Sequence, residues 1–529
     1  VIIPGEVKLG CVGIPRQACY NTLRIQLPHL FKSHIEILQT ENLDMNNFIS
    51  GLEMADLDKS CEILMNHCKI TREQAEEVCN KCDNLVRELV SKSAVLIGRQ
   101  PTLHDQSIQG EVPVMVEGNA LRIHPLLCGG FNADFDGDQM WFAFVNQPES
   151  VEEVLSKAHP VNKLYSNKDG SVSLTPTQDI LLGLYQATML HGNVLDVTTR
   201  PEYNLENIRY YTSIDSMKYD IESCILNRKD LVVLNLNGKR YLSTAGRIIL
   251  NSLTRHGFTD KEFTNPLNIP GVKNSNYYEL LFDGLIMKKG KTLEYKRDNK
   301  VLKYNCYSIG DFIAKNSETL DSMSKLELLD NIVSYGIESC VVSGITLHLN
   351  DFKDDRVSEI YAKAYESFLE KRNELYELGL LTEEDRRQIA LKATDFISKH
   401  VKDKIMDLYD RNDNLFIITD SGARGNLAQI VRSTGIIGTI TKSNTEQIET
   451  PILSSFKKGL KSSDVFIMAN GTRFGISAVQ KDTGKVGEMT RALVFGLDGM
   501  RVVETDCGCG FYDYEVGYSD LKTDITDLV

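Results

Sequence analysis

An acidic run at residues 132–140 constrains this chain more than any other feature. It reads Asn-Ala-Asp-Phe-Asp-Gly-Asp-Gln-Met and places carboxylates at Asp134, Asp136 and Asp138. Two like charges about 4 Å apart repel by roughly 1 kcal/mol in water, and by more in a partly dry site. A loop with three such groups therefore needs either a cation or a large pKa shift. Carboxylate oxygens without His or Cys in the run favour Mg²⁺ over zinc or copper.

Two other interpretations of the run exist. A solvated acidic turn is the ordinary one for this spacing of aspartates. A calcium loop of the EF-hand type fits poorly, because that pattern has glycine at its sixth position and glutamate at its twelfth. Here Gly137 is fourth from Asp134. Phe135, Met140 and Trp141 add apolar side chains, which favours a loop fixed on a packed scaffold.

Further motifs surround the run in a fixed order. They are 98–104 (GRQPTLH), 123–126 (IHPL), 176–185 (PTQDILLGLY), 420–425 (DSGARG) and 449–460 (ETPILSSFKKGL). Together with the acidic run, their order and spacing resemble those of the largest, β′-type subunit of multisubunit DNA-dependent RNA polymerases. The resemblance covers nearly the whole chain.

The resemblance implies an α+β multidomain fold with a double-psi β-barrel catalytic core, a helical hairpin and a long bridge helix. Its expected divisions are a barrel with a helical insertion and the metal loop (1–160), a region flanking the pore and active site with a mixed β insertion (161–350), a helical hairpin at the rim of the secondary channel (351–410), the triphosphate-side motif with the bridge helix (411–510), and a C-terminal tail (511–529).

Local signals predict several of these elements independently. Thr71-x-x-Gln74 has the pattern of a capping box that begins a helix through about Leu89. Residues 94–145 alternate between apolar and polar, which predicts strands with a turn at 117–119.

Later signals predict hairpins. Residues 235–239 are typical of a β-hairpin turn, 378–379 end a helix, and Thr382-x-x-Asp385 caps the next one. The first of these two helices is indicated by apolar residues at helical spacing, namely Val357, Ile360, Ala364 and Phe368. A membrane-binding amphipathic hairpin is the alternative, but the polar faces are mixed in charge rather than basic.

Residues 461–503 match the bridge helix by resemblance but contain six glycines, each of which costs a helix about 1 kcal/mol relative to alanine. From the residues alone this is a glycine-rich loop. In a helix that crosses an active-site cleft, the glycines would permit close approach of nucleic acid and local bending. Four of them are Gly471, Gly475, Gly484 and Gly487.

The resemblance also assigns chemical roles. Asp134, Asp136 and Asp138 would hold one Mg²⁺ tightly and help to hold a second that arrives with the nucleotide. Two such ions activate the attacking oxygen and stabilise the leaving group. No zinc is expected within this chain.

Four residues are predicted to bind the substrate by resemblance. Asn132 and Arg99 would contact the sugar hydroxyls, although a surface role is the ordinary reading of either residue alone. Arg424 would lie near the triphosphate, because a guanidinium suits phosphate oxygens. Gln178 would lie on the same entry path.

On the bridge helix, Thr483 and Gly484 fall where the family packs against the template base pair, and Arg473 and Arg491 are candidate backbone contacts. Asp482 stands where the family usually has lysine, and Gly484 where alanine is common. These departures leave the template contacts open.

The net charge of the chain, 59 − 73 = −14, argues against a stand-alone nucleic-acid binder, since phosphate contacts need clustered Lys and Arg. The polymerase interpretation therefore requires partner subunits that supply much of the basic channel. The absence of an 18-residue apolar run predicts no membrane association.

The twelve scattered cysteines are typical of reduced intracellular thiols. Four of them, Cys61, Cys68, Cys79 and Cys82, fall in helical sequence, where a packed face is favoured over zinc. Cys507 matches the first ligand of a bacterial zinc site, but its companion ligands would lie beyond Val529.

The resemblance implies partners: a β-type subunit with the second barrel, polypeptides that supply the clamp and trigger loop, a promoter-specificity factor, the DNA template, nascent RNA and NTPs. Regions that precede and follow these motifs in a full subunit are missing from the sequence. The expectation is a naturally split, divergent subunit like those of large bacteriophages, inactive alone, and a fragment of a longer subunit is the alternative. It would work in the infected bacterial cytoplasm, in a phage compartment or in a virion.

Two competing functions remain. RNA-dependent polymerases also present D-x-D-G-D on a double-psi barrel, but they lack the 420–425 and bridge-helix patterns. A non-catalytic scaffold is the other, and the intact set of three aspartates disfavours it.

Overall fold

Residues 94–145, in which apolar and polar side chains alternate, supply four of the six strands of the first sheet. The computed structural model describes residues 1–39, 43–166, 170–190, 208–262, 277–297, 300–353, 356–406, 408–442 and 447–497. Within these residues the first sheet has six strands, which are β1 (Ile2–Pro4), β2 (Cys11–Pro15), β3 (Ala94–Gly98), β4 (Ile108–Val116), β5 (Leu121–Ile123) and β6 (Trp141–Val145). Their predicted turn is present at Gly118, whose φ is +98°.

The sheet is mixed, and its spatial order is β1-β5-β2-β4-β3-β6. β1 runs parallel to β5 and β2 runs parallel to β4, whereas β3 is antiparallel to both β4 and β6. The two edges meet at the acidic run, because Ile2 N donates a hydrogen bond to Asp138 O over 3.0 Å. The loop with the carboxylates therefore connects the two edge strands, β1 and β6, and the gap between these edges is the seam of the sheet.

A helical insertion separates β2 from β3. It comprises α1 (Arg16–Leu23), α2 (Leu27–His34), α3 (Met45–Glu53), α4 (Leu57–Cys68) and α5 (Arg72–Ser91). The predicted capping box is confirmed, because Gln74 N donates to Thr71 Oγ1 and Thr71 N donates to Gln74 Oε1. Cys79 and Cys82 are buried on the inner face of α5.

Glu111 is an unusual member of the sheet core. It lies on β4 opposite Val95 and is fully buried. Neither of its carboxylate oxygens has a hydrogen-bond partner among the described residues. Burial therefore raises the pKa of Glu111 well above its usual value.

We expect Glu111→Met to stabilise the protein at pH 8 by about 1–3 kcal/mol, the usual cost of a buried polar group without partners. An acid whose pKa is raised by folding ionises first in the unfolded state. The contribution of Glu111 to stability should therefore be least unfavourable below pH 4.5 and become more unfavourable as pH rises. The urea midpoint measured between pH 4.5 and 8 checks this, with exposed Glu152→Met as control. A parallel pH profile for Glu111→Met and wild type would contradict it.

The middle of the chain builds two further sheets and the helices that cover them. After α6 (Cys128–Phe131), α7 (Pro148–Lys157) and α8 (Gln178–Thr188), the described elements are β7 (Arg209–Tyr211), α9 (Ile214–Glu222), β8 (Leu231–Leu236), β9 (Lys239–Thr244), α10 (Ala245–Ser252), β10 (Phe258–Glu262), β11 (Tyr278–Leu280), β12 (Leu285–Met287), β13 (Lys291–Arg297), β14 (Lys300–Ser308), α11 (Ile309–Ser317) and α12 (Ser322–Ser343).

In space these strands order as β10-β11-β9-β8-β7 and β12-β14-β13. The predicted hairpin at 235–239 joins β8 to β9. Asn237 and Gly238 both have positive φ, at 52° and 80°. Two such residues are typical of the tight turn that suits the twist of paired strands.

Two glycines permit helices α8 and α12 to cross at very short range. A Cβ added at Gly183 would lie 1.8 Å from Gly336 O, and one added at Gly336 would lie 2.7 Å from Ile180 O. Only glycine, which has no side chain, fits at these two positions of the crossing. The crossing fixes α8, whose first turn carries Gln178, against α12.

The predicted helical hairpin consists of α13 (Arg356–Glu377) and α14 (Glu383–Met406). Gly379, with φ +73°, follows the end of the first helix. Thr382 and Asp385 cap the second one, since Asp385 N donates to Thr382 Oγ1 and Thr382 N donates to Asp385 Oδ2.

The face of α13 that packs against other segments is not the apolar face from which the helix was predicted. Ile360 and Phe368 are 67 % and 41 % exposed, whereas Tyr365 is buried. Arg372, also buried, donates to Glu449 Oε1 over 2.9 Å. The hairpin is thereby tied to the ETPI motif by an ion pair that periodicity does not reveal.

The last described helices are α15 (Asn414–Asp420), α16 (Leu427–Thr434) and α17 (Ser462–Leu497). The predicted long helix is confirmed, and added Cβ atoms at Gly475, Gly484 and Gly487 would contact nothing within 4 Å. The chain divides into two compact units, Val1–Phe474 and Gly475–Val529. The five-part division by resemblance stays a prediction, and Cys507 and the tail 511–529 lie outside the described residues.

Along the described parts of the chain, no helix combines the length and the apolar character that crossing a bilayer requires.

Candidate functional site

The three aspartates of the acidic run converge. Asp134, Asp136 and Asp138 each offer a carboxylate oxygen, and these oxygens lie within 4.8 Å of one another. The loop begins where α6 ends at Asn132, which has a left-handed φ of 47°. It then turns at Gly137, where φ is +119° and a Cβ would meet nothing within 4 Å.

Asp138 is the fixed member of the three. Its Oδ2 accepts from Arg99 Nε at 2.9 Å and from Asp134 N at 3.1 Å. Its Oδ1 accepts from Arg99 Nη2 at 3.2 Å. The Asp134 amide and the Arg99 guanidinium together lower the pKa of Asp138.

Asp134 and Asp136 are exposed, and their carboxylates lie close enough to repel each other when both are charged. A hydrogen bond with the Asp136 side chain, reinforced by the charges of both neighbouring aspartates, raises the pKa of Asp134. A mutually repelling set of oxygen donors without nitrogen or sulfur ligands fits a hard divalent cation such as Mg²⁺.

A cavity of about 640 Å³ adjoins the loop. Asp134 and Asp136 form part of its wall, together with two of the predicted substrate residues, Gln178 and Arg424. Gln178 begins α8 with a positive φ of 52°. The structure therefore brings acidic and substrate-binding candidates from three distant motifs into one cavity.

A larger cavity, of about 850 Å³, lies between residues 8–11 and the start of α12. Its lining residues include none of the predicted site residues.

The candidate template contacts lie on α17. Arg473 is exposed at the end of the first compact unit. In the second unit, Thr483 Oγ1 donates to Val479 O, and the Arg491 guanidinium lies 5.6 Å from the centre of the Phe495 ring. Thr483, Gly484 and Arg491 are all exposed.

Sequence reasoning missed the wall of the cavity that α12 provides. Ile337, Cys340 and Val341 line it together with residues of the acidic loop. Cys340 and Val341 follow Ile337 by three and four residues, a spacing that places all three on one face of a helix. This spacing is the one feature of the sequence that indicates a shared surface. Cys128, just before the loop, was missed as well.

Comparisons with known proteins agree with this geometry. The family model described as RNA polymerase Rpb1, domain 2 matches residues 1–158, which include the six-stranded sheet and the acidic loop. The model described as RNA polymerase Rpb1, domain 4 matches residues 366–465, which include most of the hairpin and the Arg424 motif.

Curated relatives match most of the chain, and each is a DNA-directed RNA polymerase subunit beta'. The one from Clostridium kluyveri is 31% identical over 87% of this chain and 36% of its own length. The one from Acholeplasma laidlawii is 29% identical over 80% and 32%, and that from Sulfurovum sp. is 28% identical over 96% and 29%.

The chain thus spans about a third of the length of the curated relatives that it matches. Two family models in the expected order, relatives along four fifths or more of the chain, and the converging aspartates lead to one assignment. The chain belongs to the family of β′-type largest subunits of DNA-directed RNA polymerase.

Proposed function

We propose that this chain supplies the catalytic core of a DNA-directed RNA polymerase, which extends RNA from NTPs on a DNA template. The observation that carries the proposal is the convergence of three carboxylates within 4.8 Å on a loop of the family-matched sheet. The shared cavity with Arg424 supports it, because nucleotidyl transfer needs phosphate-binding cations beside the metal ligands.

Asp134, Asp136 and Asp138 are the residues that would hold Mg²⁺. When bound, two such ions would supply an activated RNA 3′-oxygen and charge neutralisation on the pyrophosphate leaving group. The protein's own part is positional: Arg99 fixes Asp138, so that only the two exposed carboxylates have to adjust as a cation binds.

Arg99 retains capacity for the substrate. A guanidinium has five N–H donors, and Asp138 accepts from Nε and Nη2. Among the described residues Nη1 has no partner, and it would donate to a sugar hydroxyl. Asn132, whose amide both donates and accepts, stands at the entrance to the same loop. This pair would distinguish ribonucleotides from deoxyribonucleotides.

Arg424 and Gln178 would contact the triphosphate and its entry path, since both line the cavity beside Asp134.

The six-stranded sheet has two parallel strand pairs and a backbone hydrogen bond that links its two edges, which supports its assignment as a double-psi barrel. The 36-residue α17 supports assignment as the bridge helix, with Arg473, Thr483, Gly484 and Arg491 as template contacts.

The net charge of −14 supports the involvement of partners. A β-type subunit with a second barrel, together with polypeptides that carry the clamp and trigger loop, would complete the nucleic-acid channel. A specificity factor would select the promoter.

The test is RNA synthesis by the chain isolated with its native partners. We expect incorporation of NTPs on a DNA template to require Mg²⁺, to stop on chelation and to return when Mg²⁺ is restored, because the three carboxylates repel one another without a cation. Labelled RNA from DNA, RNA and no-template reactions is measured on gels. Synthesis on RNA alone would favour an RNA-dependent polymerase, and none on either template would favour a scaffold.

A further inference from the structure

The Asp420 carboxylate joins three segments that are far apart in sequence. Its Oδ2 accepts from the Tyr185 hydroxyl at 2.9 Å, and its Oδ1 accepts from Lys291 Nζ at 2.6 Å. Tyr185 belongs to α8, Lys291 begins β13 and Asp420 ends α15. The Asp420 side chain is 19 % exposed, so the pair is partly shielded from water and stronger than a surface pair.

The turn that follows Asp420 is packed onto the segment that leads to Lys291. Lys288 N donates to Ser421 O over 3.0 Å. Gly422 has a φ of +76°, and a Cβ there would lie 2.7 Å from the Lys288 Cβ. The turn therefore fits against residues 288–291 only as glycine and only in this conformation.

Arg424 is the side chain that this turn presents to the cavity. It lines the same wall as Asp134 and Gln178. Among the described residues its guanidinium makes no ion pair or hydrogen bond. Its backbone N–H donates to Ile418 O at 3.4 Å, at the weak end of hydrogen-bond geometry. The position of the guanidinium thus depends on the turn and not on a partner of its own.

We propose that Lys291, acting through Asp420, is a positioning residue that holds Arg424 where a nucleotide triphosphate is bound. The inference rests on the proposed function. Lys291 neutralises one end of the Asp420 carboxylate while Tyr185 satisfies the other, so that the first residue of the turn is fixed from two sides. Without Lys291 the carboxylate keeps Tyr185 as its one described partner, and the turn keeps its backbone contact with Lys288, so that Arg424 is held less firmly at the cavity.

The test compares Lys291→Met with Lys291→Arg in the complex isolated with its native partners. We expect Lys291→Met to raise the KM for NTPs about tenfold while kcat changes by less than about twofold, because a displaced guanidinium weakens substrate binding. Lys291→Arg keeps the charge and should restore most of the affinity. Lys261→Met is the matched control, since Lys261 pairs with Glu279 at 2.9 Å on another sheet.

A double variant separates positioning from a general structural effect. If Lys291 acts through Arg424, Lys291→Met combined with Arg424→Ala should show the same KM as Arg424→Ala alone. Additive effects would overturn the positioning role. Tyr185→Phe, which deletes one hydroxyl, serves in the same cycle if Lys291→Met fails to assemble.

Failure of the proposed function and failure of the Lys291 role give different experimental results. A wild-type complex that makes no RNA overturns the proposed function. A wild-type complex that makes RNA, together with an unchanged KM in Lys291→Met, overturns only the role of Lys291.

Discussion

Asp136→Ala is expected to lower templated RNA synthesis by about a thousandfold, which corresponds to roughly 4 kcal/mol of lost transition-state stabilisation. Asp136 is exposed and lines the cavity. It is one of three oxygen donors within 4.8 Å of one another. Its loss leaves two carboxylates, of which Asp138 is already engaged by Arg99. Initial rates of RNA extension at saturating Mg²⁺ and NTP measure the effect.

The fold should survive this substitution. Removing one of three like charges relieves repulsion in the loop, so the melting temperature of Asp136→Ala should equal or exceed that of wild type. Asp215→Ala, an exposed aspartate on α9, is the control and should keep full activity. Activity of Asp136→Ala within tenfold of wild type, in a properly assembled complex, would refute the catalytic assignment.

Gly183→Ala should lower the free energy of unfolding of the first compact unit by about 3 kcal/mol or more, since an overpacked contact against backbone has no side chain to move aside. The added Cβ would lie 1.8 Å from Gly336 O, at the crossing of α8 and α12. The crossing has to open before the methyl group fits. The shift of the urea midpoint gives the magnitude.

Gly310→Ala is the matched control for that substitution. Gly310 also lies in a helix, but its added Cβ would be 3.4 Å from the nearest atom, Ser308 Oγ. With space available, alanine should be neutral or stabilise α11 by up to about 1 kcal/mol. Equal midpoints for the two variants would show that the helix crossing tolerates a wider spacing than the structure indicates.

The sequence predicts best those features that depend on neighbours in the chain. The capping box at Thr71, the hairpin turn at Asn237–Gly238 and the helix stop at Gly379 are all present, because each is set by a few consecutive residues. The acidic loop is also local, and its three carboxylates converge as their alternating spacing suggests.

Features that depend on distant packing were not predictable in the same way. The apolar spacing of Ile360 and Phe368 indicates a helix but not the face that packs, because Tyr365 and Arg372 are instead covered by other segments. Lys291 belongs to no motif, and the role proposed for it rests on its ion pair with Asp420, which only the folded structure reveals. A buried glutamate such as Glu111 is equally hidden, since Glu in an alternating strand ordinarily faces water.

The hydrogen bond from Ile2 N to Asp138 O couples two equilibria that are usually considered apart. The loop that gathers the carboxylates also closes the seam between β1 and the start of β6, so repulsion among those carboxylates acts against closure itself. A divalent cation that binds only the closed loop would stabilise the six-stranded sheet by a free energy that grows with the logarithm of its concentration. By the same linkage, a change that opens the seam lowers the apparent cation affinity in proportion to the fraction of molecules in which the loop stays closed. In this sense β1 is coupled energetically to the candidate metal site, although none of the three carboxylates belongs to it.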